Sequence, residues 1–533
     1  MLLKFYGAAH EVTGSMFHLS ACGKNILVDC GMEQGSDQYE NQELSVSASE
    51  IDYVLLTHAH IDHSGNLPLL FKRGFKGNVY STRATHELCG IMLRDSAHIQ
   101  MFEAEWKNRK AKRSGAEPFI PLYEMSDAEG VLKLFEPYEY GEIIEIAEGI
   151  KLRFTDAGHL LGSASIELWL TENGITKKIV FSGDIGNLNQ PLIHDPQYID
   201  EADYVVMEST YGDRLHGKRP DYLSELSDII RRTFDNGGNL IIPSFAVGRT
   251  QEILYYLRAI KEAGMVRGHE SFPVYVDSPL AIEATNIFNE NTRGYFDDEA
   301  MSLIERGINP ISFPGLATAV TSEESKRINS IPGSKIIISA SGMCDAGRVR
   351  HHLKHNLWRP DSTVLFVGYQ ANGTLGRMLL DGVKNVRLFG EEITVRANIL
   401  RLEGVSAHAD KDGLIHWVES FKRRPDRIFI VHGQDTVCDS FAELLRSEYG
   451  HNTSAPYSGE IFDLAANMLV MRGEIISAKK KSELQKRKDT VFERLLAAGN
   501  RLIGVIRKNE GGPNKDLARF KSQIDSLCDK WDR

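Results

Sequence analysis

Thr57-His58-Ala59-His60-Ile61-Asp62-His63-Ser64-Gly65 sets three imidazoles and a carboxylate within six residues. The apolar run Tyr53-Val54-Leu55-Leu56 just before it reads as a buried strand. Imidazole nitrogen and carboxylate oxygen are the usual protein ligands of zinc. From a loop at the end of a strand, His58 and His60 can converge on one ion while Asp62 and His63 turn toward a second. One histidine alone is ordinarily a packed or solvated side chain. Four good donors this close together point to metal binding instead.

Working outward, Asp29 ends the strand-like run Asn25-Ile26-Leu27-Val28. His159 lies in Asp156-Ala157-Gly158-His159-Leu160-Leu161-Gly162-Ser163, and Asp184 in Phe181-Ser182-Gly183-Asp184. Alone, His159 or Asp184 reads as a turn residue; in this order after HxHxDH, ligation is the better reading. Together these stretches resemble the metallo-β-lactamase superfamily. The resemblance implies that Asp29 orients a ligand imidazole, that His159 is a further ligand and that Asp184 bridges two metals. The chemistry suits those roles. An outer acceptor fixes an imidazole tautomer, and a shared carboxylate holds two cations close together.

The chain has 533 residues, enough for several domains and ample core. Hydrophobic residues make up 42% and charged residues 25%, ordinary for globular protein. The N-terminus is too short in apolar residues for a signal peptide, and no run suggests a membrane span. Six cysteines without CxxC spacing suggest free thiols in a reducing cytoplasm, so histidines and acids must carry any metal. The net charge of −11 argues weakly against nucleic acid, but its distribution is uneven. Residues 471–533 hold 16 Lys/Arg against 9 Asp/Glu, the remainder 46 against 64. Local basic clusters, not net charge, decide phosphate contact.

Residues 1–207 alternate short strands with Gly-containing turns and helical stretches. The basic run Trp-Lys-Asn-Arg-Lys-Ala-Lys-Arg at 106–113 reads first as a solvated helix face and second as an RNA-backbone contact. Residues 208–390 repeat a strand, loop and helix, which predicts a parallel sheet with ligand loops at the carboxyl ends of its strands. Ser244, Arg249, Ser341 and Gly342 lie in such loops and are candidate phosphate contacts. Residues 391–470 return to strands. The extension 471–533 reads as two helices broken at Gly511-Gly512-Pro513. The first begins with the clusters 479–481 and 486–488. The second carries Leu517, Phe520, Ile524, Leu527 and Trp531 on one face.

Three further motifs narrow the resemblance. They are Glu208-Ser209-Thr210-Tyr211-Gly212-Asp213, Ser406-Ala407-His408-Ala409-Asp410 and Val431-His432-Gly433-Gln434. In order and context they resemble motifs A, B and C of the β-CASP ribonucleases. The arrangement is most similar to bacterial and archaeal relatives of the endonuclease subunit of the mRNA cleavage and polyadenylation factor. The resemblance covers residues 3 to about 465. It implies an α/β chain in which an αββα metallo-β-lactamase sandwich carries an inserted Rossmann-like β-CASP domain and a C-terminal helical tail. Under it, His58, His60 and His159 bind one Zn2+, Asp62, His63 and His432 a second, and Asp184 bridges the two. Asp62, Glu208 and His408 form the catalytic group, with Glu208 orienting His408 and His408 protonating the leaving oxygen. A hydroxide shared by the cations is the implied nucleophile, and the products carry a 5′-phosphate and a 3′-hydroxyl. A histidine at the motif C position marks the RNA-processing members. Gln434 departs from the glutamate frequent there, which predicts a more weakly held second metal.

The expected activity is therefore zinc-dependent hydrolysis of single-stranded RNA, as an endonuclease and with 5′-to-3′ exonuclease activity left open. A homodimer through the C-terminal extension is likewise left open, and no membrane partner is expected. Two alternatives stand beside this reading. One is a small-molecule hydrolase of the lactamase or glyoxalase type, against which the inserted domain speaks. The other is a non-catalytic RNA-binding subunit, against which the complete ligand set speaks. His351, His352 and His355 are read as solvent-facing residues of one helix, and His10 is unassigned.

Overall fold

The computed structural model describes residues 1–35, 39, 41–114, 118–217, 221–404, 406–476 and, in the extension, 502, 506, 509 and 513–531. Residues 1–37 with 41–474 form one compact unit, and the extension from Ile475 belongs to a second.

Alternating apolar residues decide the sandwich. Leu3 and Phe5, Phe17 and Leu19, and Ile26 and Val28 point to one side of their strands and are buried. Leu152 and Phe154, Ile166 and Leu168, and Ile179 and Phe181 do the same on a second sheet. A period of two puts such pairs on one face of a strand. The two faces share one core. The first sheet runs Met468–Met471, Ile461–Asp463, Leu2–Gly7, Met16–Ala21, Lys24–Val28, Tyr53–Leu55, Asn78–Thr82, Phe135–Tyr138. The second runs Thr453–Ser454, Arg427–Val431, Tyr204–Glu208, Ile175–Phe181, Ala164–Glu172, Ile150–Asp156, Ile144–Ala147.

Helices cover both outer faces. Leu67 and Leu70 of Leu67–Lys72, with Leu88 and Leu93 of Arg83–Ser114, pack on Leu27, Val54 and Val79. Leu414 and Trp417 of Lys411–Glu419, with Phe441 and Leu445 of Asp435–Ser447, pack on Val205, Met207 and Ile430. Trp417 is 1% exposed, so its truncation to alanine removes about 3–5 kcal/mol. The result is the expected αββα order.

The insertion enters between neighbours. Tyr204–Glu208 and Arg427–Val431 pair in parallel, yet more than two hundred residues separate them. Between them lies a six-stranded sheet, Leu316–Thr318, Val274–Val276, Ile336–Ser339, Leu240–Pro243, Thr363–Phe366, Asn398–Arg401. Its pairings are all parallel, as the repeated strand-loop-helix pattern predicts. Its last strand lies beyond the boundary expected at 390. Asn398–Arg401 pairs with Thr363–Phe366, so the insert runs past 400 before the chain returns to the sandwich.

Two further expectations change. His352 is fully buried rather than solvent-facing, because its Nε2 lies 2.6 Å from Asp277 Oδ2 and its Nδ1 3.0 Å from Asn329 Oδ1. Asp277 also takes Arg348 at 2.8 Å, so a buried carboxylate ties the strand end to the helix Val349–Asn356. In the run 106–113, Lys107 and Arg109 pair with Glu103 and Glu105 one turn back, at 3.5 and 3.4 Å, which is the solvated-face arrangement. The side chains of 110–113 lie outside the described residues. So do the clusters 479–481 and 486–488 and the break residues 511 and 512. Asn514–Trp531 forms the second expected helix of the extension. Among the described residues, no helix is long and apolar enough to cross a membrane.

Candidate metal centre

All seven expected ligands come together at one end of the sandwich. The strand Tyr53–Leu55 delivers His58 and His60, and a single helical turn, Ile61–Ser64, then carries Asp62 and His63. That turn packs closely on the segment after Asp29. A Cβ on Gly31 would stand 1.7 Å from Asp62 O, so no other residue fits there. His159 follows Gly158, whose φ of 63° suits glycine and whose added Cβ would meet Pro196 N at 2.6 Å. Asp184 follows the strand Ile175–Phe181, and His432 follows Arg427–Val431.

Donor atoms form two clusters. His60 Nδ1 lies 3.0 Å from His58 Nε2 and 3.3 Å from His159 Nε2. Asp184 Oδ2 lies 3.5 Å from both His58 Nε2 and His159 Nε2. In the second cluster, His63 Nε2 and His432 Nε2 are 3.1 Å apart. Asp184 Oδ1 is 3.3 Å from the first and 3.6 Å from the second, and Asp62 Oδ2 is 3.7 Å from His432 Nε2. Ligands of one divalent ion with bonds of about 2.1 Å lie roughly 3.0–3.4 Å apart. Each oxygen of Asp184 thus faces one cluster. Asp184 Oδ1 is buried and makes no hydrogen bond, which would cost about 1–3 kcal/mol or more without a cation. Both clusters fit metal ions.

Nearly every imidazole is held by its other nitrogen. Asp29 Oδ2 accepts from His63 Nδ1 at 2.7 Å, and Asp29 Oδ1 accepts from the Thr57 amide at 2.9 Å. Thr57 Oγ1 is 3.1 Å from His58 Nδ1, the carbonyl of Ala407 accepts from His159 Nδ1 at 3.3 Å, and Thr210 Oγ1 is 3.1 Å from His432 Nδ1. These contacts leave Nε2 of His58, His63, His159 and His432 facing the clusters. Burial alone would raise the Asp184 pKa, but His432 and His63 hold it well below the usual carboxylate range. Burial likewise opposes ionised Asp62, yet its hydrogen bond to His432 brings it to about 2.

His408 stands beside both clusters. Its Nδ1 is 3.2 Å from Glu208 Oε1 and 3.9 Å from Asp184 Oδ2, and its ring is 4.5 Å from that of His159. Glu208 is itself fixed by the amides of Ile185 at 2.6 Å and Thr210 at 3.2 Å. Burial disfavours the His408 imidazolium, but Glu208 and then Asp184 outweigh it, and the group is raised to about 9. The hydrogen bond through Nδ1 orients the ring and leaves its other nitrogen available for proton transfer.

The chain is similar to known proteins over most of its length. The Metallo-beta-lactamase superfamily pattern matches residues 14–200, the Beta-Casp domain 250–379, and the Zn-dependent metallo-hydrolase RNA specificity domain 392–456. Ribonuclease TTHA0252 of Thermus thermophilus is 38% identical over 443 residues, 83% of this chain and 95% of that protein. The chain belongs to the β-CASP ribonuclease family. An RNase J-like protein of Methanocaldococcus jannaschii is 32% identical over 87% of this chain and all of its own length. The transcription termination factor FttA of Methanosarcina mazei is 32% identical over 84% of this chain and 69% of its own. Like its family, the chain is a metal-dependent hydrolase.

In this β-CASP chain, two of the four phosphate-contact candidates, Ser244 and Arg249, turn inward. Ser244 is 1% exposed, and Thr250 donates to its hydroxyl at 3.1 Å. The Arg249 side chain is 9% exposed and pairs with Glu252 one turn on. Both turn inward because the helix Arg249–Glu262 starts directly over the strand end. Ser341 is half-buried, with its Oγ 3.3 Å from Ala346 O, and Gly342 is buried. The loop 244–248 approaches the segment that carries His159, since a Cβ on Gly248 would come within 3.1 Å of Leu160. What it exposes is aromatic. Phe245 is 46% exposed and lies over Gly342, where an added Cβ would meet its ring at 3.2 Å; Tyr369 is 52% exposed. The sequence reading missed Thr57, Thr210, Phe245 and Tyr369. A threonine or an aromatic in a loop gives no pattern of its own.

Proposed function

We propose that this protein is a zinc-dependent ribonuclease that hydrolyses phosphodiester bonds of single-stranded RNA with two catalytic Zn2+ per chain. The observation that carries this reading is Asp184, which offers one oxygen to each donor cluster and lies beside the Glu208–His408 pair. Two divalent cations so placed supply Lewis acidity toward a phosphoryl oxygen and make water nucleophilic at neutral pH.

The chain's own residues do the rest. His58, His60 and His159 hold one cation, Asp62, His63 and His432 the other. Asp29, Thr57, Thr210 and the Ala407 carbonyl keep the imidazoles in their metal-binding tautomers. Glu208 orients His408 through Nδ1, and His408 Nε2 delivers a proton to the departing 3′ oxygen. Cleavage then leaves a 5′-phosphate and a 3′-hydroxyl. Exposed Phe245 and Tyr369, on loops of the insert, suit stacking of unpaired bases, which favours a single strand over a duplex. The family's histidine at the motif C position supports RNA over DNA. Six free cysteines, four of them buried, favour the cytoplasm.

The test uses matched oligonucleotides labelled at either end and incubated with the zinc-loaded protein at fixed salt. Rapid internal cleavage of single-stranded RNA, with much slower cutting of duplex RNA and single-stranded DNA, supports the reading. Equal cutting of DNA contradicts it, as does hydrolysis of a small ester or lactam with no nuclease activity.

A further inference from the structure

The histidine left without a role in the sequence, His10, has the surroundings of a ligand. Its side chain is fully buried. Its φ of 62° lies in the left-handed region, which is costly for a histidine and is found where the surroundings enforce it. The ring stacks face to face on Tyr457, with centroids 3.6 Å apart and planes 2° from parallel. Nε2 lies 3.1 Å from the carbonyl of Ala455. A carbonyl only accepts, so Nε2 carries the hydrogen, and in the neutral ring the lone pair is on Nδ1. The His159 ring is held by the carbonyl of Ala407 in the same way.

Nδ1 points at carboxylates. Asp435 Oδ1 is 2.9 Å away, and Asp439 completes a group whose donor atoms all lie within 4.8 Å of one another. Asp435 and Asp439 sit one turn apart on the helix Asp435–Ser447 and therefore share a face. Tyr457 donates its hydroxyl to Asp435 Oδ1 at 3.0 Å, which fixes the carboxylate. Although the Asp435 oxygen is so close, buried His10 Nδ1 makes no hydrogen bond. The two atoms stand at ion-pair distance without hydrogen-bond geometry. Two ligands of one ion stand in that relation, at about 3.0–3.4 Å for bonds of about 2.1 Å. Asp184 Oδ1, close to His63 Nε2 and in no hydrogen bond, has the same character.

We propose that His10, Asp435 and Asp439 form a separate divalent-cation site that braces the segment carrying His432. One imidazole and two carboxylates suit Zn2+ or Mn2+, with water filling the open positions. The bracing is direct in the chain. His432 N donates to Ala8 O at 2.7 Å, two residues before His10, and Asp435 follows His432 by three. The bracing role rests on His432 being a catalytic-metal ligand; the site itself does not.

The test compares full-length wild type, His10→Ala, Asp439→Asn and His58→Ala, each equilibrated with zinc and desalted. Elemental analysis should find one ion fewer in His10→Ala and in Asp439→Asn than in wild type. Asp439 is exposed, so its substitution leaves the fold intact. Crystals of wild type and of His58→Ala grown with Mn2+ should both show an anomalous peak beside His10 Nδ1, whatever happens at the His58 cluster. Loss of the ion in Asp439→Asn with that peak present establishes the site even if the Asp184 pair holds a different number of metals. Unchanged metal content in both His10→Ala and Asp439→Asn, or no peak beside His10, overturns it.

Discussion

The sandwich and its insert treat polar side chains in opposite ways. In the sandwich, the ligand nitrogens of His58, His63, His159 and His432 face inward to shared clusters while their other nitrogens are tied to fixed partners. In the insert, Ser244, Arg249 and Asp277 are satisfied within the domain, and the rings of Phe245 and Tyr369 are left exposed. The difference teaches a division of labour. On the proposed function, the sandwich would hold charge in place for chemistry, and the insert would offer a surface on which a flexible strand can lie. Electrostatic positioning of that kind needs rigid outer partners. Stacking needs only an open face.

Substitutions on each side should therefore fail differently. His58→Ala should show the largest effect, with one metal lost and cleavage reduced to background while the thermal transition stays cooperative. Retained cleavage at full metal content would break the assignment. Next, His408→Ala should keep the wild-type metal content yet slow single-turnover cleavage about a hundred-fold or more. A change in KM alone would move His408 from proton transfer to binding. Asp29→Ala, one step removed from the metal, should weaken zinc retention about 10–100-fold, read by competition with a chelator. Phe245→Ala should act only on recognition. Losing one stacked base at about 1–3 kcal/mol raises KM for single-stranded RNA several-fold or more and leaves the metal content unchanged. The smallest effect belongs to Ser244→Ala, about 1 kcal/mol in stability and little in activity, because its hydroxyl serves the fold. A large loss of RNA affinity there would restore it as a phosphate contact.

The same contrast governs what the sequence revealed. HxHxDH is contiguous, so four ligands were visible as one pattern. His159, Asp184, Glu208, His408 and His432 are dispersed, and they came into view through their order and the family resemblance. The sandwich was implied by the family resemblance, and the alternating buried residues of its strands then account for its core. Beyond 390, Asn398–Arg401 reads like any return to strands; only pairing shows that it joins the insert's sheet. Ser244 and Arg249 looked like ligand groups because loop composition does not report burial. His352 shows the same limit, since its partner Asp277 is 75 residues away. Thr57 and Thr210 act by placement against an imidazole, and single-residue chemistry does not announce that. Departures of this sort are expected where tertiary contacts override local pattern.

The bridging role of Asp184 is the centre of the account, and metal counting tests it most directly. Wild type, His58→Ala and Asp184→Ala are equilibrated with zinc, desalted and measured by elemental analysis beside their cleavage of labelled RNA. The account predicts that His58→Ala loses one ion and that Asp184→Ala loses two, since each of its oxygens faces a different cluster, and that neither variant cleaves. Asp184→Ala with the wild-type metal count, or with measurable cleavage, would contradict it.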